Sequence, residues 1–124
     1  MQTIVVENDP LLSDAMLHFL QSQGCPTVVV RNAEEALEAM RSAHFDIIIS
    51  DHSLPGLDGV TFLMRSRQSQ PDAIRILLTN YPTSVTSAPN APGQTCIDAA
   101  IVKPLTVTDL ENTLSNLLET TRER

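Results

Sequence analysis

The sequence of 124 residues predicts an α/β fold in which helices cover both faces of a doubly wound parallel sheet. Short apolar runs of strand-forming residues alternate along the chain with segments whose apolar residues recur at helical spacing. Four of these runs end abruptly in a polar or charged residue. The run Ile47–Ile49 is apolar throughout, which is typical of a strand buried on both faces of a parallel sheet.

The N-terminal half contains three predicted strands and two predicted helices. Asp9 and Pro10 supply an N-cap and a first-turn proline, and Gly24 ends the helix that follows. Asn32, with Glu35 three residues later, forms a capping-box pattern at the start of the second helix. The three strands are Thr3–Val6, Thr27–Val30 and Phe45–Ser50. The predicted inward residues are Leu11, Leu12, Ala15, Met16, Phe19 and Leu20 in the first helix and Ala36, Leu37 and Met40 in the second.

The C-terminal half adds two strands, Ile74–Leu78 and Ala99–Val102, and two helices. Asp58 caps the third helix, and Thr106, with Asp109 three residues later, begins the last one. The predicted inward residues are Val60, Leu63 and Met64 in the third helix and Leu110, Leu114, Leu117 and Leu118 in the last.

The segment 82–95 stands where a further helix would complete the alternation. Its three prolines, one glycine and many hydroxyl or β-branched residues disfavour a regular helix, so we expect an irregular surface loop. Parallel βαβ units with right-handed crossovers then predict a flavodoxin-like sheet of five strands in the order 2-1-3-4-5. We expect a single domain over residues 1–124, with residues 120–124 frayed.

The chain is acidic, with a formal net charge of -7 at pH 7. Direct nucleic-acid binding would need a basic patch and is not expected. No segment approaches the roughly 20 apolar residues of a membrane span, and the N-terminus lacks a signal-peptide pattern. A soluble, cytoplasmic domain is therefore predicted. Cys25 and Cys96 belong to no C-x-x-C pair, and we expect small buried hydrophobes in a reducing cytosol.

Polar side chains follow four of the predicted strands. Glu7 follows the first strand, Asp51 the third, Thr79 the fourth and Lys103 the fifth. In an open α/β sheet the working site lies just beyond the carboxyl ends of the strands. If these strands are parallel neighbours, one edge of the sheet gathers acids, a hydroxyl and an ammonium, which suits a metal ion and a small anion.

These residues, in this order, resemble the receiver domain of two-component response regulators over essentially the whole chain. The resemblance includes the turn Asp51-x-x-x-Pro55-Gly56-x-Asp58-Gly59 and the pair Lys103-Pro104. It implies that Asp51 accepts a phosphoryl group from a phosphohistidine on a histidine kinase or a histidine phosphotransfer protein. Such a domain catalyses its own phosphorylation and dephosphorylation and is not a turnover enzyme.

The resemblance also implies a Mg²⁺ (or Mn²⁺) ion, which prefers hard oxygen ligands. Its implied ligands are Asp51, Asn8, the backbone carbonyl of Ser53, and Glu7 through a water. The ammonium of Lys103 and the hydroxyl of Thr79 would each hold a phosphoryl oxygen.

The chain departs from the family pattern at several positions. Asn8 replaces a second acid at the cation site, which predicts weak magnesium binding. Ala100 stands where many receivers carry an aromatic switch residue, and segment 82–95 replaces the fourth helix, so the usual output route is expected to be altered or lost. Residues expected to tune how easily water reaches the phosphate are Ser53, Asn80 and Tyr81.

Three neighbouring residues have plainer explanations. Asp58 is expected to be a helix cap rather than a metal ligand. The side chain of His52 follows a strand-end residue, so we expect it to point away from the site as a surface histidine. His18 and His44 show no ligand spacing.

The leading hypothesis is a phosphoacceptor module that signals to a downstream protein, either alone or as the N-terminal part of a longer protein. The alternative is a pseudo-receiver that binds a partner protein without phosphorylation. Asn8, Ala100 and the irregular segment 82–95 in place of the fourth helix favour it. A third hypothesis, a magnesium-dependent hydrolase, is disfavoured. Such an enzyme would typically carry an acid two residues after the nucleophile, where this chain has Ser53.

Overall fold

The computed structural model describes residues 1–80 and 97–122, with side chains to residue 118. Five parallel strands form one sheet in the order β2-β1-β3-β4-β5, as the sequence predicts. Tyr81, Cys96 and the predicted irregular segment 82–95 lie outside the described residues. The strands are β1 (Thr3–Val6), β2 (Thr27–Val30), β3 (Ile47–Asp51), β4 (Ile74–Thr79) and β5 (Ala99–Val102).

Four helices are present in the described part of the chain. They are α1 (Pro10–Ser22), α2 (Ala33–Ser42), α3 (Gly59–Ser66) and α4 (Val107–Arg122). The last helix includes residues 120–122 of the expected tail, and residues 123–124 lie outside the described part.

The sheet is covered on both faces because its strands present alternate residues to opposite sides. On one face, α2 and α3 pack on Ile4, Ile48 and Leu77. On the other, α1 and α4 pack on Val5 and Ile49. Strand β3 lies in the middle of the sheet, and all five of its residues are buried. The prediction, made from the apolar run, that this strand is covered on both faces is therefore confirmed.

The predicted helix caps are present. The side chains of Asp9, Asn32 and Asp58 accept hydrogen bonds from backbone N–H groups in the first turns of α1, α2 and α3. Thr106 and Asp109 form a reciprocal capping box at α4, with bonds of 2.9 and 3.1 Å. These local bonds fix where each helix begins, and therefore where the preceding loop crosses the edge of the sheet.

Some predicted positions were wrong. Strand β3 begins at Ile47 rather than Phe45 and extends to Asp51, because Asp51 still pairs with Leu78 of β4. Leu11 lies in the first turn of α1 off the buried row formed by Ser13, Met16 and Leu20, and it is 84% exposed.

The inward face of α3 also differs from the prediction. Its buried residues are Gly59, Phe62, Leu63 and Ser66, which are spaced as one face of a helix, whereas Met64 is 40% exposed. Gly59 and Ser66 belong to this face because they meet backbone and polar groups. The apolar pattern alone therefore placed the inward face of the helix wrongly.

One of the polar residues that meets this face is a buried arginine in β4 that the sequence pattern does not reveal. Arg75 is 3% exposed, and its Nε donates to the hydroxyl of Ser66 at 2.9 Å. Its two terminal nitrogens donate to the backbone carbonyls of Ala73 and Gln70. The guanidinium therefore ties the end of α3 to the start of β4, the strand that ends in Thr79.

We expect Asp58→Ala to lower the free energy of unfolding by about 1 kcal/mol at neutral pH, because it removes the N-cap of α3. The hydrogen bond from the backbone N–H of Thr61 lowers the pKa of Asp58 below its ordinary 3.8. This stabilisation is therefore fully present above the unfolded-state pKa and is lost as the pH falls through the lower folded-state pKa. Urea unfolding at several pH values should show the difference between the two proteins narrowing in acid.

Glu38→Ala is a matched control, since Glu38 is an exposed helical acid paired with Arg41 at 3.5 Å. It should change stability by less than about 0.5 kcal/mol. Equal losses in the two variants, or a loss in Asp58→Ala that does not vary with pH, would contradict the capping role.

Candidate functional site

The candidate site lies at the carboxyl edge of the sheet, between β1 and β3. Val6 pairs with Ser50 in the parallel register, so the next residues, Glu7 and Asp51, are neighbours. These two strands are adjacent in space although α1, β2 and α2 separate them in sequence. This is the point where the strand order reverses, where open α/β sheets commonly hold their ligands.

Lys103 connects the two acids. Its Nζ lies 3.1 Å from Oε2 of Glu7 and 3.1 Å from Oδ1 of Asp51. The lysine side chain is 17% exposed, against 1% for Glu7 and 12% for Asp51. One ammonium therefore serves two nearly buried carboxylates, and the three side chains carry a net formal charge of −1. Sequence analysis grouped these residues, and the structure brings them into contact.

Burial and ion pairing have opposite effects on the pKa values of Glu7 and Lys103. Burial is the main cause that raises the pKa of Glu7 above its ordinary 4.5, opposed by hydrogen bonds from the backbone N–H of Asp9 and from Lys103. Burial alone would lower the pKa of Lys103, but its hydrogen bonds to Glu7 and Asp51 outweigh that effect and raise it. The lysine stays charged between its two acids.

Thr79 completes the group of four predicted residues. It is the last residue of β4 and is fully buried. Its backbone carbonyl accepts a hydrogen bond of 2.8 Å from the backbone N–H of Lys103. The ends of β4 and β5 are therefore joined at Thr79 and Lys103, the two residues with predicted anion contacts.

The expected orientation of His52 was wrong. Its Nδ1 lies 2.8 Å from the Oγ1 of Thr79, and the imidazole is half-buried rather than turned to solvent. Asp51 still belongs to the strand, so the chain bends only after it, and alternation along a strand does not predict the direction of the next side chain. The only feature of the sequence that could have pointed to this contact was the position of His52 directly after a strand-end acid.

Gly59 allows the start of α3 to pack closely against the end of β3. Its backbone N–H donates to the carbonyl of His52 at 2.8 Å. A Cβ at position 59 would lie 2.1 Å from the carbonyl oxygen of Asp51, which is far inside van der Waals contact. Only glycine permits the start of α3 to approach the end of β3 this closely.

The remaining predicted residues lie around this centre. Asn8, Ser53 and Asn80 are exposed at the ends of β1, β3 and β4, and Ala100 is half-buried on β5 opposite Leu77. Asn8 lines a cavity of about 390 Å³ with Glu7, Pro10, Ser13, Val29 and Arg31.

The donor set is compatible with a hard cation but carries little charge. Two carboxylates, an exposed amide and a backbone carbonyl supply oxygen, the atom that Mg²⁺ prefers. Within residues 1–80 and 97–122, no three His, Cys, Asp or Glu side chains come together as a ready metal cluster. Asp58 does not join the acids because it caps α3, as predicted.

Comparison with known proteins agrees with this fold. The family model described as the response regulator receiver domain matches residues 3–115. The chain is 34% identical over 122 residues to the two-component response regulator PhoP of Pseudomonas aeruginosa, covering 95% of this chain and 52% of that protein. It thus spans about half the length of this curated relative.

Two solved structures illustrate the likeness. The signal receiver domain of an HD domain-containing protein from Pseudomonas fluorescens is 28% identical, with a TM-score of 0.84 and coverage of 99% of this chain and 98% of that one. The response regulator TrrA of Thermotoga maritima, solved with Mg²⁺ and BeF, is 27% identical, with a TM-score of 0.78 and coverage of 94% and 97%.

The chain therefore belongs to the response regulator receiver domain family, the module of two-component signalling systems with a flavodoxin-like fold. Within the described part of the chain, no helix has the length and apolar character needed to cross a bilayer.

We expect Lys103→Met to lower the free energy of unfolding by about 3 kcal/mol at neutral pH without divalent cations, because it leaves two buried carboxylates unpaired. It should also raise the pKa of Glu7 further, since the bond from Lys103 lowers that pKa. A carboxyl whose folded-state pKa exceeds its unfolded value gains relative stability as the pH falls through the folded pKa, so the deficit should shrink in acid.

Urea unfolding at about pH 7 and about pH 5 would test this expectation. Lys103→Arg keeps the charge and should lose less stability, and adding Glu7→Gln to Lys103→Met should restore part of the loss. A deficit that is the same in the single and double variants would show that the lysine acts through packing alone.

Proposed function

We propose that this chain is a phosphoacceptor that takes a phosphoryl group onto Asp51 from a phosphohistidine of a histidine kinase or a histidine phosphotransfer protein. The observation that carries the proposal is the contact of Lys103 with both Asp51 and Glu7 at the carboxyl edge of the sheet. Membership in the receiver family supports the same role.

Asp51 is suited to be the nucleophile. Its side chain is largely buried but retains 12% exposure, so a donor can approach from outside the sheet. A carboxylate oxygen would form a bond to phosphorus as the bond from phosphorus to the donor imidazole nitrogen breaks. The nitrogen keeps the bonding electron pair. The product is an aspartyl phosphate formed once per chain, so the role is that of an acceptor rather than a turnover enzyme.

Lys103 and Thr79 would stabilise the transferred group. The ammonium is already held beside Oδ1 of Asp51, where negative charge accumulates when the phosphoryl group arrives. The hydroxyl of Thr79 would donate to a second phosphoryl oxygen. Phosphoryl transfer depends mainly on such positioning and electrostatics, because the protein has little covalent work to do.

A divalent cation such as Mg²⁺ or Mn²⁺ would be held by Asp51, the amide of Asn8, the carbonyl of Ser53 and, through a water, Glu7. When bound, it would neutralise charge on the incoming phosphoryl group. The structural likeness to a response regulator solved with Mg²⁺ and BeF supports this expectation. Because Asn8 brings no charge, we expect weak binding.

The wider assignments follow from the same role. Residues 1–124 would act as one cytoplasmic receiver domain that passes its state to a downstream protein, without binding nucleic acid itself. Ser53 and Asn80 are exposed beside the acceptor, where they would control how easily water reaches the phosphate, together with Tyr81. Ala100 has no side-chain rotamer to change, so the usual aromatic switch would be replaced by another route.

We expect the wild-type chain to incorporate a phosphoryl group from acetyl phosphate in the presence of about 10 mM Mg²⁺. This high concentration is chosen because Mg²⁺ is expected to bind weakly. Asp51→Asn should abolish incorporation because the amide is not a nucleophile. Intact-mass spectrometry would detect the added phosphoryl group. Asp46→Asn is a control at the opposite end of β3 and should incorporate like wild type. Absence of incorporation in wild type would contradict the proposal.

A second candidate is a partner-binding module that works without phosphorylation. It is favoured by the exposed amide of Asn8, which leaves Glu7 and Asp51 as the only carboxylates touching Lys103 in the described residues. One ammonium between two acids already balances half of the charge of the site. This arrangement would be stable without an added cation.

Asn8→Asp separates the two candidates. It should tighten Mg²⁺ binding by about tenfold, as expected for an added carboxylate near a cation. In a phosphoacceptor, the rate of phosphate incorporation at limiting Mg²⁺ should rise in parallel. Calorimetric titration and mass spectrometry would measure both. Asn112→Asp makes the same change at an exposed position of α4 and should alter neither. Tighter binding with no incorporation would favour the partner-binding module.

A further inference from the structure

His52 contacts the hydroxyl of Thr79 directly, although nothing in the sequence pattern gave it a role. Its Nδ1 lies 2.8 Å from the Oγ1 of Thr79, which is within ordinary hydrogen-bond distance. Thr79 is fully buried and His52 is half-buried, so the contact is largely shielded from solvent.

Two hydrogen bonds hold the backbone of the residue that carries this imidazole. The N–H of His52 donates to the carbonyl of Leu78 at 2.8 Å, and its carbonyl accepts from the N–H of Gly59 at 2.8 Å. The close approach of Gly59 to Asp51 fixes the same turn from the other side. The backbone of His52 is therefore held between the end of β4 and the start of α3, and from there the imidazole contacts Thr79.

The chemistry of a hydroxyl then sets the direction of the bonds. Thr79 has one proton to donate, and its oxygen can accept as well. A phosphoryl oxygen can only accept, so Thr79 must donate its proton to the phosphoryl group. The Oγ1 must then accept from His52, which requires the imidazole tautomer that carries its proton on Nδ1.

We infer that His52 is a positioning residue, whose Nδ1–H donates to Oγ1 of Thr79 and aims the threonine proton at the phosphoryl group on Asp51. This inference deepens the proposed phosphoacceptor function and rests on it. The chain of bonds from imidazole to hydroxyl to phosphoryl oxygen polarises each member and strengthens the last bond.

Three variants test the inference, with Mg²⁺ and beryllium fluoride as the phosphoryl mimic and calorimetry as the measurement. His52→Leu removes the donor, and His52→Asn returns an amide nitrogen close to the position of Nδ1. Thr79→Val removes the hydroxyl that His52 would orient. Affinity for Mg²⁺ alone serves as the internal control, because none of these side chains is a proposed cation ligand.

We expect His52→Leu to weaken the affinity for beryllium fluoride by about fivefold to tenfold, and His52→Asn to recover most of it. In the Thr79→Val background, His52→Leu should have no further effect. Long-range ¹⁵N–¹H NMR of the wild-type complex should show the His52 proton on Nδ1.

Several results would overturn the inference while leaving the proposed function intact. They are wild-type affinity in His52→Leu, or a His52 proton on Nε2 in the complex. An affinity that rises in His52→Leu would also overturn it, since the imidazole would then compete for the hydroxyl. If the wild-type chain binds no beryllium fluoride and incorporates no phosphate, the proposed function fails, and this inference fails with it.

Discussion

The ammonium of Lys103 between two nearly buried carboxylates is the interaction on which this edge of the domain depends. Glu7 follows β1, Asp51 ends β3 and Lys103 follows β5, so one cation holds together the ends of three strands. Two acids this close and this buried would repel each other and would be costly to ionise without a cation. The lysine satisfies both and is itself kept charged by them, as the raised pKa of Lys103 indicates.

This arrangement gives the proposed cation site an unusual charge balance. If position 8 carried a second acid, both the lysine and a divalent cation would be needed to neutralise the charge of the group. With Asn8, the lysine alone reduces the net formal charge of the group to −1. In the proposed function, the same lysine would also contact the arriving phosphoryl group. Cation binding and phosphoryl transfer would therefore be coupled through one side chain, and Asn8 would set how strongly.

Much of the fold follows from local patterns that do not need tertiary information. The apolar run of β3 predicted a strand covered on both faces, and Asp9, Asn32 and Asp58 predicted the first turns of three helices. Each depends on residues a few positions apart. Errors arose where packing decides instead. Met64 was assigned to the inward face of α3, but that face is completed by Gly59 and Ser66 because they meet backbone and polar partners rather than apolar ones.

By itself, the sequence determined the strand order of the sheet and the identity of the four polar residues at its carboxyl edge, since parallel strands with helical crossovers bring their ends to one side. Only the tertiary structure decided which of these residues touch. Lys103 meets Glu7 across 96 positions of chain, and His52 turns toward Thr79. Such contacts depend on strand twist, the bend after β3 and the space left by Gly59, and none of these is encoded in the spacing of residues along the chain.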